Sequence, residues 1–138
     1  MSKRSLLLIC CFSMCAFAQG SRQEPNSVTL KNGVIVTTIK EGNGPRPTAA
    51  DSVKVNYRGT LTNGREFDSS YKRGEPITFP LGAVISCWTE GVQKMKAGGK
   101  AKLVCPPTTA YGERGQGKVI PPNSTLVFEI ELLEIVKR

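Results

Sequence analysis

Three short blocks hold most of the side chains on which chemistry could be built. The first, Gly64-Arg65-Glu66-Phe67-Asp68-Ser69-Ser70, sets an aromatic ring beside a carboxylate. The second, Val84-Ile85-Ser86-Cys87-Trp88-Thr89-Glu90-Gly91, carries the only Trp of the chain behind a branched apolar pair. The third, Ala110-Tyr111-Gly112, adds a phenol and is followed by Val119-Ile120-Pro121-Pro122. Tyr57 and Phe128 lie on either side of the set. These residue types suit an apolar cup with a few polar handles. Such a cup can hold a proline ring and the amide before it without attacking either.

What the chain lacks excludes other chemistry. It contains no His, so imidazole metal ligation and the Ser-His and Cys-His forms of nucleophilic catalysis are ruled out. No metal and no cofactor are expected. Gly112-Glu113-Arg114-Gly115-Gln116-Gly117 resembles a phosphate-cradling loop only in its glycines. It neither follows a strand nor opens a helix, and no Lys-Ser/Thr pair accompanies it, so it reads as a mobile loop.

The balance of 19 Lys and Arg against 11 Asp and Glu gives a formal net charge of +8. The basic residues are scattered, with Lys94-Met95-Lys96 and Lys100-Ala101-Lys102 the densest cluster. Nucleic-acid binding wants a continuous basic stripe with accessible aromatics. Here the aromatics sit in segments that read as core or pocket, so a solvated basic face is expected and no nucleic-acid partner. An anionic envelope surface is the one weak partner that the charge admits.

The elements that must position the three blocks are mostly strands. Val28-Thr29-Leu30 and Val34 to Ile39 flank Lys31-Asn32-Gly33, and Asn-Gly between apolar runs is a hairpin signal. Val53, Val55 and Tyr57 alternate with Lys54, Asn56 and Arg58, the period of a half-buried strand. Thr62-Asn63-Gly64 closes a second turn. Residues 77–82, 100–105 and 126–132 supply further strands, the last with Phe128, Ile130 and Leu132 on one face. One segment departs from this rhythm. Ile85, Trp88, Val92 and Met95 recur near helical spacing, with Ser86 as the expected N-cap and Ala97-Gly98-Gly99 as the stop. The prediction is an α+β domain, a predominantly antiparallel sheet with one short amphipathic helix against its concave face.

The N-terminal region has a different character. Lys3-Arg4 precedes an apolar run from Leu6 to Cys15, and Ala16-Phe17-Ala18 places small residues where signal peptidase reads. Residues 1–18 therefore read as a signal peptide, too short for a membrane span of ~20 apolar residues. Residues 19–27 read as a flexible leader, and residues 28–138 as the single folded domain. Cys10, Cys11 and Cys15 follow Ile9, Cys10 and Met14, which are unsuitable before a lipidated Cys, so no lipid anchor and no stable membrane insertion are expected. The expectation is an exported, soluble monomer, in a periplasm or, alternatively, a secretory lumen. Cleavage would leave two of the five cysteines, Cys87 and Cys105.

In order and spacing the three blocks resemble the FKBP-type peptidyl-prolyl cis-trans isomerases, over roughly residues 28–136. The resemblance implies an FKBP-like curved sheet wrapped around one short helix. It also implies roles residue by residue. Trp88 corresponds to the indole under the proline ring, and Tyr57, Phe67 and Phe128 to the aromatic walls. Val84 and Ile85 correspond to the apolar rim, where the Ile85 N–H donates to a bound carbonyl. Tyr111 corresponds to the phenol that donates to the ligand's amide carbonyl, and Asp68 to the polarising carboxylate. Arg73 falls where the family often keeps an Arg packed against Tyr57, and Ile120 on the loop that closes over the site. Asp68, Tyr111, Trp88 and Phe67 are thus the implied catalytic set; Tyr57, Arg73, Val84, Ile85, Ile120 and Phe128 are the implied substrate-binding set.

The sequence also departs from the family. Cys87 replaces a usual Gly before the Trp, Ile77 a frequent aromatic at the pocket edge, and Gln116 a His found in some members. Alignment with the family brings Cys87 near Cys105, so a disulfide is one reading and two separate buried thiols the other. The implied activity is non-covalent. Rotation about X-Pro faces a barrier of ~18–20 kcal/mol set by amide resonance, and a catalyst need only favour the twisted amide over both planar forms. Proline-containing polypeptides would be the substrates and macrolides the inhibitors. The alternative is a non-catalytic peptide-binding chaperone module using the same cup.

Overall fold

A computed structural model of the chain describes residues 26–137. The expected signal peptide and most of the expected leader therefore lie outside the described residues. Among the described residues, seven strands form one sheet: β1 (Ser27–Thr29), β2 (Ile35–Lys40), β3 (Ser52–Leu61), β4 (Glu66–Ser69), β5 (Ile77–Pro80), β6 (Lys100–Cys105) and β7 (Leu126–Val136). The helices are α1 (Ser70–Arg73) and α2 (Ser86–Val92), and 3-10 turns occupy Leu81–Ala83 and Pro107–Thr109. The strand order is β1-β2-β6-β7-β3-β4, with β5 also paired to β3. Every pairing is antiparallel.

Alternation produces this sheet. In β7, Leu126, Phe128, Ile130 and Leu132 are buried on the inner face, and in β3 so are Val53, Val55 and Tyr57. The register places Tyr57 opposite Ile130 and Gly59 opposite Phe128. Gly59 has to be glycine for a packing reason: a Cβ there would lie 2.6 Å from the Phe67 ring and 2.9 Å from that of Phe128. The Asn32-Gly33 hairpin forms as expected. Gly33 takes φ +93, Leu30 N–H bonds to Val34 O at 2.8 Å, and Asn32 Oδ1 accepts from Val34 N–H. The first strand begins at Ser27, so the sheet takes the last residue assigned to the leader.

The helix α2 lies on the sheet with Trp88, Val92 and the following Met95 buried. Gly91 lets it approach closely, since a Cβ would meet Leu103 at 2.9 Å. Both ends differ from expectation. Ser86 is the first helical residue and not its cap; its hydroxyl donates to Thr109 O at 3.3 Å, and Ile85 occupies the cap position without a side-chain bond. The regular helix stops at Val92, where the Gln93 N–H turns to the Gly91 carbonyl while Gln93 Nε2 donates to Thr89 O at 2.7 Å. Bonds from Lys94 to Gly91 and from Met95 to Val92 then tighten the chain.

Cys87 and Cys105 form a disulfide that joins α2 to the end of β6, with a Cα–Cα distance of 5.6 Å. Both cysteines are fully buried. Among the described residues no helix is long and apolar enough to cross a membrane, and no group of residues is suited to hold a metal ion.

Candidate active site

The concave face, α2 and the segment after β5 enclose an open cup of about 440 Å³. Trp88 forms its floor. Tyr57, Phe79 and Phe128 stand edge-on to the indole, with ring centroids 5.2, 5.4 and 5.4 Å away and interplanar angles of 85°, 78° and 89°. Phe67 extends the wall, edge-on to Phe128 at 5.6 Å. These T-shaped contacts set the positive edge of one ring against the negative face of the next, worth about 0.5–1.5 kcal/mol per pair beyond the area buried. They fix five rings into one surface.

Each ring is held by a different element. Tyr57 comes from β3, Phe67 from β4, Phe79 from β5, Trp88 from α2 and Phe128 from β7. The rim is supplied by Ala83, Val84 and Ile85 and by Tyr111. The Ile85 N–H finds no acceptor among the described residues, and it precedes a helix whose first carbonyl, Ile85 O, accepts from the Trp88 and Thr89 N–H groups. A backbone donor at that point is available to a bound carbonyl. Burial, followed by the nearby Asp68 charge, pushes the Tyr111 phenol up from its ordinary range. The phenol therefore keeps its proton to donate at neutral pH.

One edge of the cup is polar. Tyr57 donates its hydroxyl to Asp68 Oδ2 at 2.5 Å, and Arg73 donates from Nη1 to Asp68 Oδ1 at 2.7 Å and from Nη2 to the Tyr57 oxygen at 3.0 Å. The guanidinium carbon also lies 5.8 Å from the Tyr57 ring centroid. Desolvation is the largest single influence on the Asp68 carboxyl and raises its pKa. The Tyr57 hydroxyl, the Arg73 guanidinium and the Ser69 N–H together outweigh it and hold the group below the usual carboxylate range. Desolvation and Asp68 push the Tyr57 phenol up. At neutral pH this edge carries a fixed carboxylate beside an un-ionised phenol, and no proton needs to move.

The cup gathers eight of the ten expected site residues: Tyr57, Phe67, Asp68, Val84, Ile85, Trp88, Tyr111 and Phe128. The other two stand elsewhere. Arg73 lies outside the cup, behind Asp68 and Tyr57. Ile120 is not a rim residue; it is buried in the core at 3 % exposure. Its backbone exchanges bonds with Gln116, and Gly115 sits so close that a Cβ would meet the Ile120 carbonyl at 2.3 Å. Ile77 likewise packs against the core and not at the pocket edge, which Phe79 occupies. Phe79 and Ala83 line the cup although the sequence motifs do not single them out. For Phe79 a signal is present, since it follows Ile77 at the period of a strand and is the only aromatic of its segment.

A curved antiparallel sheet closed on one short helix, with an aromatic cup between them, defines an FKBP-like fold. A family model described as FKBP-type peptidyl-prolyl cis-trans isomerase matches residues 44–133, and the chain belongs to that family. It is 50% identical to FKBP-type peptidyl-prolyl cis-trans isomerase FkpA of Escherichia coli K12 over 113 residues, 82% of this chain and 42% of FkpA. It is 57% identical to FK506-binding protein 1 of Dictyostelium discoideum, covering 73% of this chain and 96% of that protein. The crystal structure of E. coli FkpA superposes with a TM-score of 0.80 at 50% identity, over 83% of this chain and 54% of that one. The chain thus spans about half the length of the FkpA relatives that it matches.

Proposed function

We propose that the protein accelerates cis-trans interconversion of X-Pro bonds in polypeptides, and that it serves the folding of exported proteins. The observation that carries this reading is the cup itself: five interlocked rings with a neutral phenol, a fixed carboxylate and a free backbone N–H at its margin. A proline ring fills the floor over Trp88. The X-Pro carbonyl, whose bond to nitrogen must lose conjugation, lies within reach of the Tyr111 hydroxyl and the Ile85 N–H. An apolar wall penalises the charge-separated planar amide more than the twisted one, and preset donors stabilise the twisted carbonyl without reorganising. Phe67 and Asp68 complete the wall on the side of the polar edge. The names of the relatives, each an isomerase or an FK506-binding protein, support the same reading and favour inhibition by macrolides that fill the cup.

Export is supported by the Cys87–Cys105 disulfide, because such bridges persist in oxidising compartments, and by the basic, apolar and small-residue order of residues 3–18. A periplasm is the setting that fits best, and the protein acts as a monomer. Uncatalysed X-Pro isomerisation takes tens of seconds, slow enough to limit folding of exported chains. The deciding experiment is a protease-free isomerisation assay on a short peptide with an apolar residue before Pro. Acceleration abolished by a tacrolimus-type macrolide is expected. A folded sample that leaves the rate at the uncatalysed value, yet binds the peptide, would replace this reading with that of a peptide-binding chaperone.

A further inference from the structure

The sheet has a gap on the outer edge of β3, and the polar edge of the cup depends on how the gap is filled. On that edge β5 pairs as far as Val55 and β4 begins at Arg58. Asn56 and Tyr57 have no strand partner there. The Tyr57 N–H, buried and pointing into the gap, would be left without an acceptor, and a buried donor left unpaired carries its full desolvation cost. The first residue of α1 supplies the acceptor. Ser70 Oγ accepts from Tyr57 N–H at 2.8 Å and donates to Asn56 Oδ1 at 2.9 Å, with the Tyr57 carbonyl a second, longer acceptor at 3.4 Å. Ser70 is fully buried.

The other end of α1 reaches the same tyrosine. Arg73, its last residue, holds the Tyr57 hydroxyl and both completes and charges the Asp68 network. The helix is a single turn, closed at Gly74 by bonds to Ser70 O and Tyr71 O with φ +80. Its two functional side chains are therefore fixed relative to each other. Tyr57 is gripped at its backbone by Ser70 and at its hydroxyl by Arg73, through one rigid turn.

We propose that Ser70 is a positioning residue for isomerisation. It touches no substrate, lining neither the cup nor its rim, and acts by setting Tyr57 and Arg73 in register with Asp68. The proposal rests on the function proposed above, since it assigns Ser70 a share in that activity. Without the Ser70 hydroxyl the turn loses its anchor on β3, and the guanidinium no longer returns to Asp68 and Tyr57 at the same distance.

A double-mutant cycle separates this from a merely structural role. Ser70→Ala is expected to lower kcat/KM roughly tenfold, through misplacement of the polar edge, in a protein that remains folded by circular dichroism. In a Tyr57→Phe background, where the hydroxyl that Ser70 positions is already gone and only the Arg73–Asp68 pair is left to displace, the same change is expected to cost distinctly less, about two- to threefold. Equal losses in the two backgrounds, or no loss in the first, would overturn the proposal. If Ser70→Ala does not fold, Asn56→Ala removes the nearer of the two acceptors of the Ser70 hydroxyl, which then turns to the Tyr57 carbonyl. The same cycle is then run with that variant, and the same outcomes support or overturn the proposal. A readout without activity runs in parallel. The ring-carbon NMR shift of Tyr57, which reports hydrogen bonding at its hydroxyl, should move in Ser70→Ala while that of Tyr111 stays. A Tyr57 signal left unmoved defeats the positioning claim even if the wild-type protein proves not to be an isomerase.

Discussion

The floor of the cup and its polar edge are built on different principles. Trp88 is 4 % exposed and Phe128 4 %, and they meet their neighbours through ring contacts contributed by five elements. The Asp68 and Arg73 side chains are 40 % and 44 % exposed and are held by directional bonds, of which the two from Arg73 depend on one helical turn. The floor is therefore part of the hydrophobic core, and the site cannot lose it without losing stability. The edge is a graft on the rim of the sheet, where ion pairs in contact with solvent contribute little to stability. Binding surface and hydrophobic core coincide in one region and are separable in the other.

Substitutions ordered by their cost to folding should trace that division. Trp88→Ala empties the volume on which three rings rest and is expected to cost about 3–5 kcal/mol, read from urea unfolding, together with nearly all catalysis. A Trp88→Ala protein of wild-type stability would mean that the floor is not core. Replacing both Cys87 and Cys105 by Ala should cost roughly 3 kcal/mol in the chain-entropy model, with a smaller fall in turnover. Thiol titration of the unfolded, unreduced protein should find neither of these two cysteines free.

At the edge the expected order of effects reverses. Asp68→Ala should lower kcat/KM roughly ten- to a hundredfold, approaching the range for loss of one preorganised electrostatic group, and shift stability by less than about 1 kcal/mol. Full turnover in that variant would remove Asp68 from the mechanism.

The smallest effect expected is on pH dependence. The Asp68 carboxyl titrates lower in the folded than in the unfolded chain. Its stabilising contribution is therefore complete above the ordinary value near ~3.9 and is lost as pH falls through the lower folded value. Turnover should accordingly stay level from neutral pH down to about pH 5. A decline centred near about pH 6 to 7, well above any lowered carboxyl, would show that the edge is not held ionised as described.

How far the sequence foretells these two regions follows from the same contrast. The floor is written in residue type and period: Val53, Val55 and Tyr57, then Phe128, Ile130 and Leu132, alternate as buried strands do, and Trp88 recurs with Val92 on a helix. The strands and the hairpin at Asn32-Gly33 are readable for that reason. The helix α1 is not, because four residues carry no periodicity, and its formation depends on Ser69 accepting from Lys72 N–H and on Gly74 adopting positive φ. The inward turn of Ile120 is hidden for a related reason. Its backbone bonds to Gln116, in a loop whose glycines at 115 and 117 also take positive φ, a choice of backbone that hydrophobicity does not record. Phe79 escapes notice although its alternation with Ile77 is visible, since an edge strand of four residues gives that pattern only two chances to repeat.

The sealed position of the Cys87–Cys105 bridge has a consequence for how the protein is made. Thiol–disulfide exchange proceeds by in-line attack of a thiolate on sulfur and needs access to it. Once α2 has settled on β6, neither sulfur can be reached by an oxidant or a reductase. The oxidation must then be completed while the helix still stands off the sheet, so the supply of oxidising equivalents has to keep pace with collapse of the chain. Closure of the bridge is thus timed against this domain's own folding.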